Sequence, residues 1–181
     1  MPTEPLGQLE AVGDRWQLRF TRHLPHPPEK VWRAVTEPEH LVAWFPTTID
    51  GERAAGAELR FAFPHDGAPD MHGEMLAYDP PKVMELRWGD DDVLRIELEP
   101  VDGGRGTVLT LSDVFVELGK AARDAAGWHG CLFVLADVLD GKPTTLEDDD
   151  GRWQELAPVY REALGPEAST IGPPDWHPEG Q

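Results

Sequence analysis

The sequence predicts an α+β fold: an antiparallel sheet of six or seven strands wrapped around one long C-terminal helix, with two short helices after the first strand. Three observations predict it. Residues 27–45, PPEKVWRAVTEPEHLVAWF, carry two helical patterns, each opened by a proline. Residues 121–140 place Trp128, Leu132, Leu135 and Leu139 at intervals of four, three and four, the spacing of one apolar helix face. Between these two segments lie only short alternating stretches joined by turn residues. Strands with one apolar face need a cover, and the helix over 121–140 is the only element long enough to supply it.

The elements follow in order. Trp16, Leu18, Phe20 and Leu24 share one parity and Gln17, Arg19, Thr21 and His23 the other, which is the period of a half-buried strand. Pro28 and Pro38 then stand at first helical positions, where a missing N–H costs nothing. Val31 and Val35 form the apolar stripe of the first short helix; Leu41, Trp44 and Phe45 form that of the second. Ile49 is read as a short strand before Gly51. Leu59, Phe61 and Phe63 alternate with Arg60 and Ala62; Met84, Leu86 and Trp88 with Glu85 and Arg87; Leu94, Ile96 and Leu98 with Arg95, Glu97 and Glu99. Residues 71–78 and 107–115 supply two less regular strands. The connectors Asp66-Gly67, Asp79-Pro80-Pro81, Gly89-Asp90 and Asp102-Gly103-Gly104 are too short for parallel crossovers, so the strands form an antiparallel meander.

Residues 1–141 are thus one sheet-and-helix domain. Residues 142–165 read as an acidic linker and a further helix, with Trp153, Leu156, Tyr160 and Leu164 on one stripe and Pro158 expected to kink or restart it. Residues 166–181, rich in proline and glycine and containing Trp176, read as a mobile tail.

A chain of 181 residues can bury a core without disulfide or metal, and its single cysteine, Cys131, has no partner for a bridge. The N-terminal MPTEPLGQLE lacks the apolar segment of a secretory leader, and no run approaches the ~20 apolar residues of a spanning helix, so a cytoplasmic protein without membrane insertion is expected. Sixteen basic against thirty-four acidic residues give a formal charge of −18, which repels nucleic-acid phosphates and excludes them as partners.

Val31, Trp32, Thr36, Pro38, Glu39, Leu41 and Trp44, then Asp79, Pro80 and Pro81, then Gly127, Trp128, Leu132 and Leu135 together resemble a known pattern, VW..T.pe.l..W, a DPP turn and GW...L..L. It is that of the SRPBCC (START-like, Bet v-like) helix-grip superfamily, and within it of the bacterial homologues of the activator of the ninety-kilodalton heat-shock chaperone ATPase. The resemblance spans residues 9–141. It implies a cavity between the sheet and the C-terminal helix that takes a small, mainly apolar ligand. Trp44, Phe61, Met75, Met84, Trp88, Trp128 and Leu132 are the wall residues it implies, with Trp88 facing Trp128 and Leu132; the alternative is a filled core. It also implies two other roles: a chaperone-cofactor-type interaction module, with a protein partner or a homodimer, and a polyketide cyclase- or dehydratase-like enzyme.

Few residues carry chemistry of their own. Asp113 has the parity of Leu109, Leu111 and Phe115 and is the best candidate for a polar group inside; its simpler role is a strand-end carboxylate satisfied by backbone. His129 lies next to Trp128, whereas Arg87 has the outward parity, so a converging Arg87–Asp113–His129 trio is not expected. Cys131 reads as a buried small hydrophobe. Ser112 and Ser169 lack a nucleophile elbow. Gly103, Gly104 and Gly106 lack the lysine and helix of a phosphate loop, and residues 147–150 read as a solvated charge run. His65, Asp66, Asp70 and His72 crowd one loop without the spacing of a metal motif, so neither metal nor cofactor is expected and no catalytic residue is assigned.

Overall fold

The structure, a computed structural model, describes residues 3–64, 67–148 and 151–172. Seven strands form one antiparallel sheet: β1 (Gln8–Val12), β2 (Arg15–Leu24), β3 (Glu58–Phe61), β4 (Met71–Asp79), β5 (Val83–Trp88), β6 (Asp92–Val101) and β7 (Gly106–Phe115). Their spatial order is β1-β2-β7-β6-β5-β4-β3, a meander closed by β2 returning to β7. The helices are α1 (Pro28–Thr36), α2 (Pro38–Trp44), α3 (Ala121–Leu139) and α4 (Arg152–Leu164).

The seventh strand is β1, not the segment at Ile49, where a single bridge joins Asp50 to Arg60. The hairpin that creates it turns on Gly13-Asp14, with Gly13 at φ +63°, so a two-residue glycine loop in the sequence marks the strand. β3 stops at Phe61, leaving Phe63 outside the ladder. β4 is irregular because its register against β5 shifts between Met75 and Ala77, a bulge. In the same strand Gly73 meets β5 closely: a Cβ there would lie 1.9 Å from the Arg87 carbonyl oxygen.

The alternating strands present Leu18, Phe20, Leu94, Ile96, Leu109, Leu111 and Phe115 to the inner face, where they are buried. α3 lies across that face and buries Trp128, Leu132, Leu135 and Leu139 against it. α1 and α2 close the side, tied together by the Trp44 indole N–H donating to the Ala34 carbonyl at 2.8 Å. α4 packs on α3 and runs through Pro158 without a break. Pro158 is exposed, as is Gln154, whose carbonyl loses its usual N–H donor, so water can replace the missing bond.

Tyr160, on the buried side of α4, reaches the first strands. Its hydroxyl accepts from the Gly7 N–H at 2.8 Å and lies 2.7 Å from His129 Nδ1. The hydroxyl thus bridges a backbone donor and the His129 ring nitrogen. Beyond α4, Pro166–Ser169 form a 3-10 turn and the Ile171 N–H donates to the Gly119 carbonyl. Trp176 lies outside the described residues.

Two glycines give opposite expected outcomes in urea denaturation. Gly73→Ala forces β4 and β5 apart and lowers stability by about 1–3 kcal/mol. Gly130→Ala, at a helical position in α3 with nothing within 4 Å of the added carbon, raises it by about 0.5–1 kcal/mol. Tyr160→Phe leaves the buried Gly7 N–H and His129 Nδ1 without their partner and costs about 1–3 kcal/mol.

Candidate functional site

Five aromatic rings meet where the sheet, α2 and α3 come together. Phe45 contacts Trp44, Trp88 and Trp128 with ring centroids 5.3, 5.4 and 5.7 Å apart. Trp88 in turn meets Phe61 at 4.7 Å and Trp128 edge-to-face at 6.1 Å. These are attractive aromatic geometries, and they fill the space expected to be open between Trp88 and Trp128. The wall residues implied by the family resemblance therefore divide. Trp44, Phe61, Met75, Met84 and Leu132 are buried in the packed core. Trp88, Trp128 and Asp113 border a cleft of about 950 Å³ that opens beside the aromatic cluster.

That cleft lies at one end of the sheet. The β5–β6 turn (Gly89, Asp90, Asp91) and Asp92 form one wall, Val116 and Glu117 after β7 the floor, and Lys120, Asp124, Gly127, Trp128 and Cys131 the other wall, with Trp153 of α4, Phe63 and Met71 at the rim. Another groove, of about 570 Å³, crosses the outer face of the sheet over Arg19, Thr21, Glu85, Arg95 and Glu97. Its charges are paired, Arg95 binding both Glu85 and Glu97, so it offers less unmet chemistry than the cleft.

Asp113 is the polar centre of the cleft. Its neighbours in the sheet are Leu18 on β2 and Leu94 on β6, both buried, and it is itself only 2% exposed. Oδ2 accepts the Trp128 indole N–H at 3.1 Å, a donor that comes from the helix and not from backbone as the simpler expectation had it. Oδ1 is buried without a partner among the described residues. Burial foremost, and then the charges of Asp124 and Asp92, push its carboxyl up to about 7; Lys120 and the Trp128 N–H work against that rise. Lys120 bonds Asp92 and lies 3.8 Å from Asp124, which also pairs with Arg123 at 2.8 Å. Burial opposes the charge of Lys120, yet the bond to Asp92 and the surrounding carboxylates outweigh it and raise its pKa. Burial raises the Asp124 carboxyl as well, against the pull of Arg123.

The remaining candidates lie apart. His129 faces Tyr160, and burial, followed by the charge of Arg22, lowers its pKa to about 4. Arg87 bonds the Gly89 carbonyl at the turn. Burial pushes the Cys131 thiol up to about 12, which removes it as a nucleophile. Of the histidine-rich loop, His65 and Asp66 lie outside the described residues, while Asp70 pairs with Arg60 at 3.2 Å and His72 stands opposite Arg60 in β4. Among the described residues no three histidine, cysteine or acidic side chains gather as a metal site, and no helix is long and apolar enough to cross a membrane.

Sequence reasoning did not single out Asp92, Lys120 and Asp124. The spacing of Lys120 and Asp124, four apart at a helix start, was a readable signal; the approach of Asp92 from another strand was not. Arg22 was legible too, since it has the parity of Phe20 and Leu24. It is 5% exposed on the inner face, with Nη1 on the Thr21 carbonyl and Nη2 unpaired among the described residues.

A sheet that grips its C-terminal helix beside a cleft defines a helix-grip protein of the SRPBCC type. Residues 25–140 match the family described as Activator of Hsp90 ATPase homolog 1-like protein, and the chain belongs to that family. No curated protein matches it significantly. Among solved structures it is similar to EF2215 from Enterococcus faecalis, a conserved protein of unknown function, with a TM-score of 0.72 and 22% identity over 87% of this chain and 90% of that one. The crystal structure of CalU16 from Micromonospora echinospora superposes with a TM-score of 0.69 and 19% identity over 91% of this chain and 99% of that one. DynU16, from the dynemicin biosynthetic locus, has a TM-score of 0.64 and 27% identity over 72% of this chain and 50% of its own.

The elevated Asp113 pKa fixes a pH dependence. The folded state holds this proton up to about pH 7 whereas the unfolded chain releases it near 3.8, so between these values the folded state binds more protons and stability falls as pH rises. Asp113→Asn removes that loss. Denaturation at pH 4 and pH 8 is expected to show the variant gaining on the wild type by on the order of 4 kcal/mol over this window.

Proposed function

We propose that the protein binds a small, mainly apolar molecule in the cleft beside Trp88 and Trp128, with no catalytic step assigned. The observation that carries this reading is the cleft itself, about 950 Å³ and bordered by Trp88, Trp128, Trp153, Phe63 and Met71. That volume lies within the range of small-molecule sites, and aromatic side chains left beside open space supply the apolar contact such sites use. A similar protein, DynU16, comes from the dynemicin biosynthetic locus, a setting in which a small molecule is made. One observation favours a second reading, an acid–base enzyme of the cyclase or dehydratase kind: Asp113 titrates at about 7, near the optimum for proton transfer at neutral pH.

Ligand binding is expected to shift or quench tryptophan emission, because two of the walls are indoles, and to raise the melting temperature. A ligand at ~100 times its dissociation constant adds about 2.7 kcal/mol. Gly127→Phe is the blocking variant. Gly127 borders the cleft, and nothing lies within 4 Å of a carbon added there, so the ring enters the cleft and not the core. It should abolish the ligand-induced shift while leaving the denaturation midpoint of the free protein unchanged or higher. A broad set of lipids and aromatic metabolites that gives no thermal shift overturns the binding reading. Turnover of a bound compound that disappears in Asp113→Asn establishes the enzyme.

A further inference from the structure

The charges around the cleft do not balance. Its lining holds six carboxyl groups (Asp90, Asp91, Asp92, Asp113, Glu117 and Asp124) against two cations, Lys120 and Arg123. Both cations are already engaged, Lys120 by Asp92 and Arg123 by Asp124. Asp113 has no cation bonded to it, and its Oδ1 lacks any donor among the described residues although the residue is 2% exposed. An ionised carboxylate buried in this way carries an uncompensated desolvation penalty. Next to it stand Trp88 and Trp128, whose ring faces attract cations.

Resting on the reading of this cleft as a ligand site, we propose that the ligand carries an ammonium group on an apolar aromatic body, the body lying against Trp88 and Trp128 and the ammonium at Asp113. A cation there pairs the third carboxylate of the Asp92–Asp113–Asp124 group and donates to Oδ1. A neutral hydroxyl can donate to Oδ1 but leaves the charge uncompensated, and an anionic ligand adds to the repulsion. Oδ1 is closed off from water in the free protein, so the wall must yield as the ligand enters.

The test is calorimetric titration at pH 8 with three probes of one shape: 2-(2-naphthyl)ethylamine, 2-(2-naphthyl)ethanol and 2-naphthylacetate. The amine is expected to bind about tenfold or more tighter than the alcohol, the worth of one charge-assisted bond, and the acetate weakest. Asp113→Asn should bring the amine to the level of the alcohol while changing the alcohol by no more than about twofold. An alcohol that equals the amine in the wild type, or an amine preference that survives in Asp113→Asn, overturns the ammonium proposal and leaves the apolar-ligand reading standing. Absence of binding by all three probes also overturns it; the broader compound set then decides the apolar-ligand reading separately.

If Asp113→Asn does not fold, the wild-type pH profile decides. Amine affinity must fall as pH drops below about 7, where Asp113 takes up its proton, and alcohol affinity must not. The groups facing Asp113 are Asp92 from β6, Lys120 from the turn before α3, and Asp124 and Trp128 from α3, with Leu18 and Leu94 beside it in the sheet. An amine profile flat from pH 8 to about pH 5, below the Asp113 midpoint, overturns the proposal.

Discussion

The hydrogen bond from the Trp128 indole to Asp113 joins helix to sheet at the point where the two must meet, and much of the chemistry of this protein depends on it. α3 covers the inner face only if its largest side chain can be buried, and a buried indole N–H needs an acceptor. The inner face at that position offers a carboxylate flanked by leucines. Solving the packing problem in this way brings an ionisable group into the core, and every electrostatic property of the cleft descends from that choice. The aromatic cluster and the acidic wall are therefore two sides of one arrangement.

Around this bond the molecule separates two kinds of polar burial. On one side of α3, His129, Tyr160 and the Gly7 N–H form a short chain in which each of these contacts has a donor and an acceptor, and burial, with the nearby Arg22 charge, keeps the imidazole neutral. That chain is structural: it fixes α4 and the first strands against α3. On the other side, Asp113 retains an oxygen without a donor among the described residues, buried just behind the wall of the cleft. A satisfied network rigidifies, whereas an unsatisfied one beside a cleft is chemistry waiting for a partner.

Legibility in the sequence followed the range of the interactions involved. Period-two alternation exposed β2, β5 and β6, and the four-three-four spacing exposed α3, because those signals are carried by neighbours in the chain. The β1 hairpin was equally local, in Gly13-Asp14, but its five-residue strand is mostly exposed, and its alternation of Leu9 and Ala11 with Gln8 and Glu10 is too short to stand out. The parity of Asp113 showed it facing inward; that its partner is Trp128, on a different element, could not be read from spacing. The packed state of Trp44, Phe61, Met75, Met84 and Leu132 was likewise hidden, because the same apolar residues line a void or fill one depending on how rings such as Phe45 interlock in three dimensions.

The family match ends near the two ends of the helix-grip core, leaving β1, β2 and α4 outside residues 25–140. These flanks, far apart in sequence, are joined through the Tyr160 hydroxyl of α4, which accepts the Gly7 N–H that leads into β1. They form a clasp, and neither half is complete alone. Loss of α4 would uncover α3 and also leave the buried Gly7 N–H without its acceptor; displacement of the N-terminal segment would remove the donor to the Tyr160 hydroxyl. The two extensions are thus coupled to each other, and shortening either one leaves a buried polar group of the other unpaired.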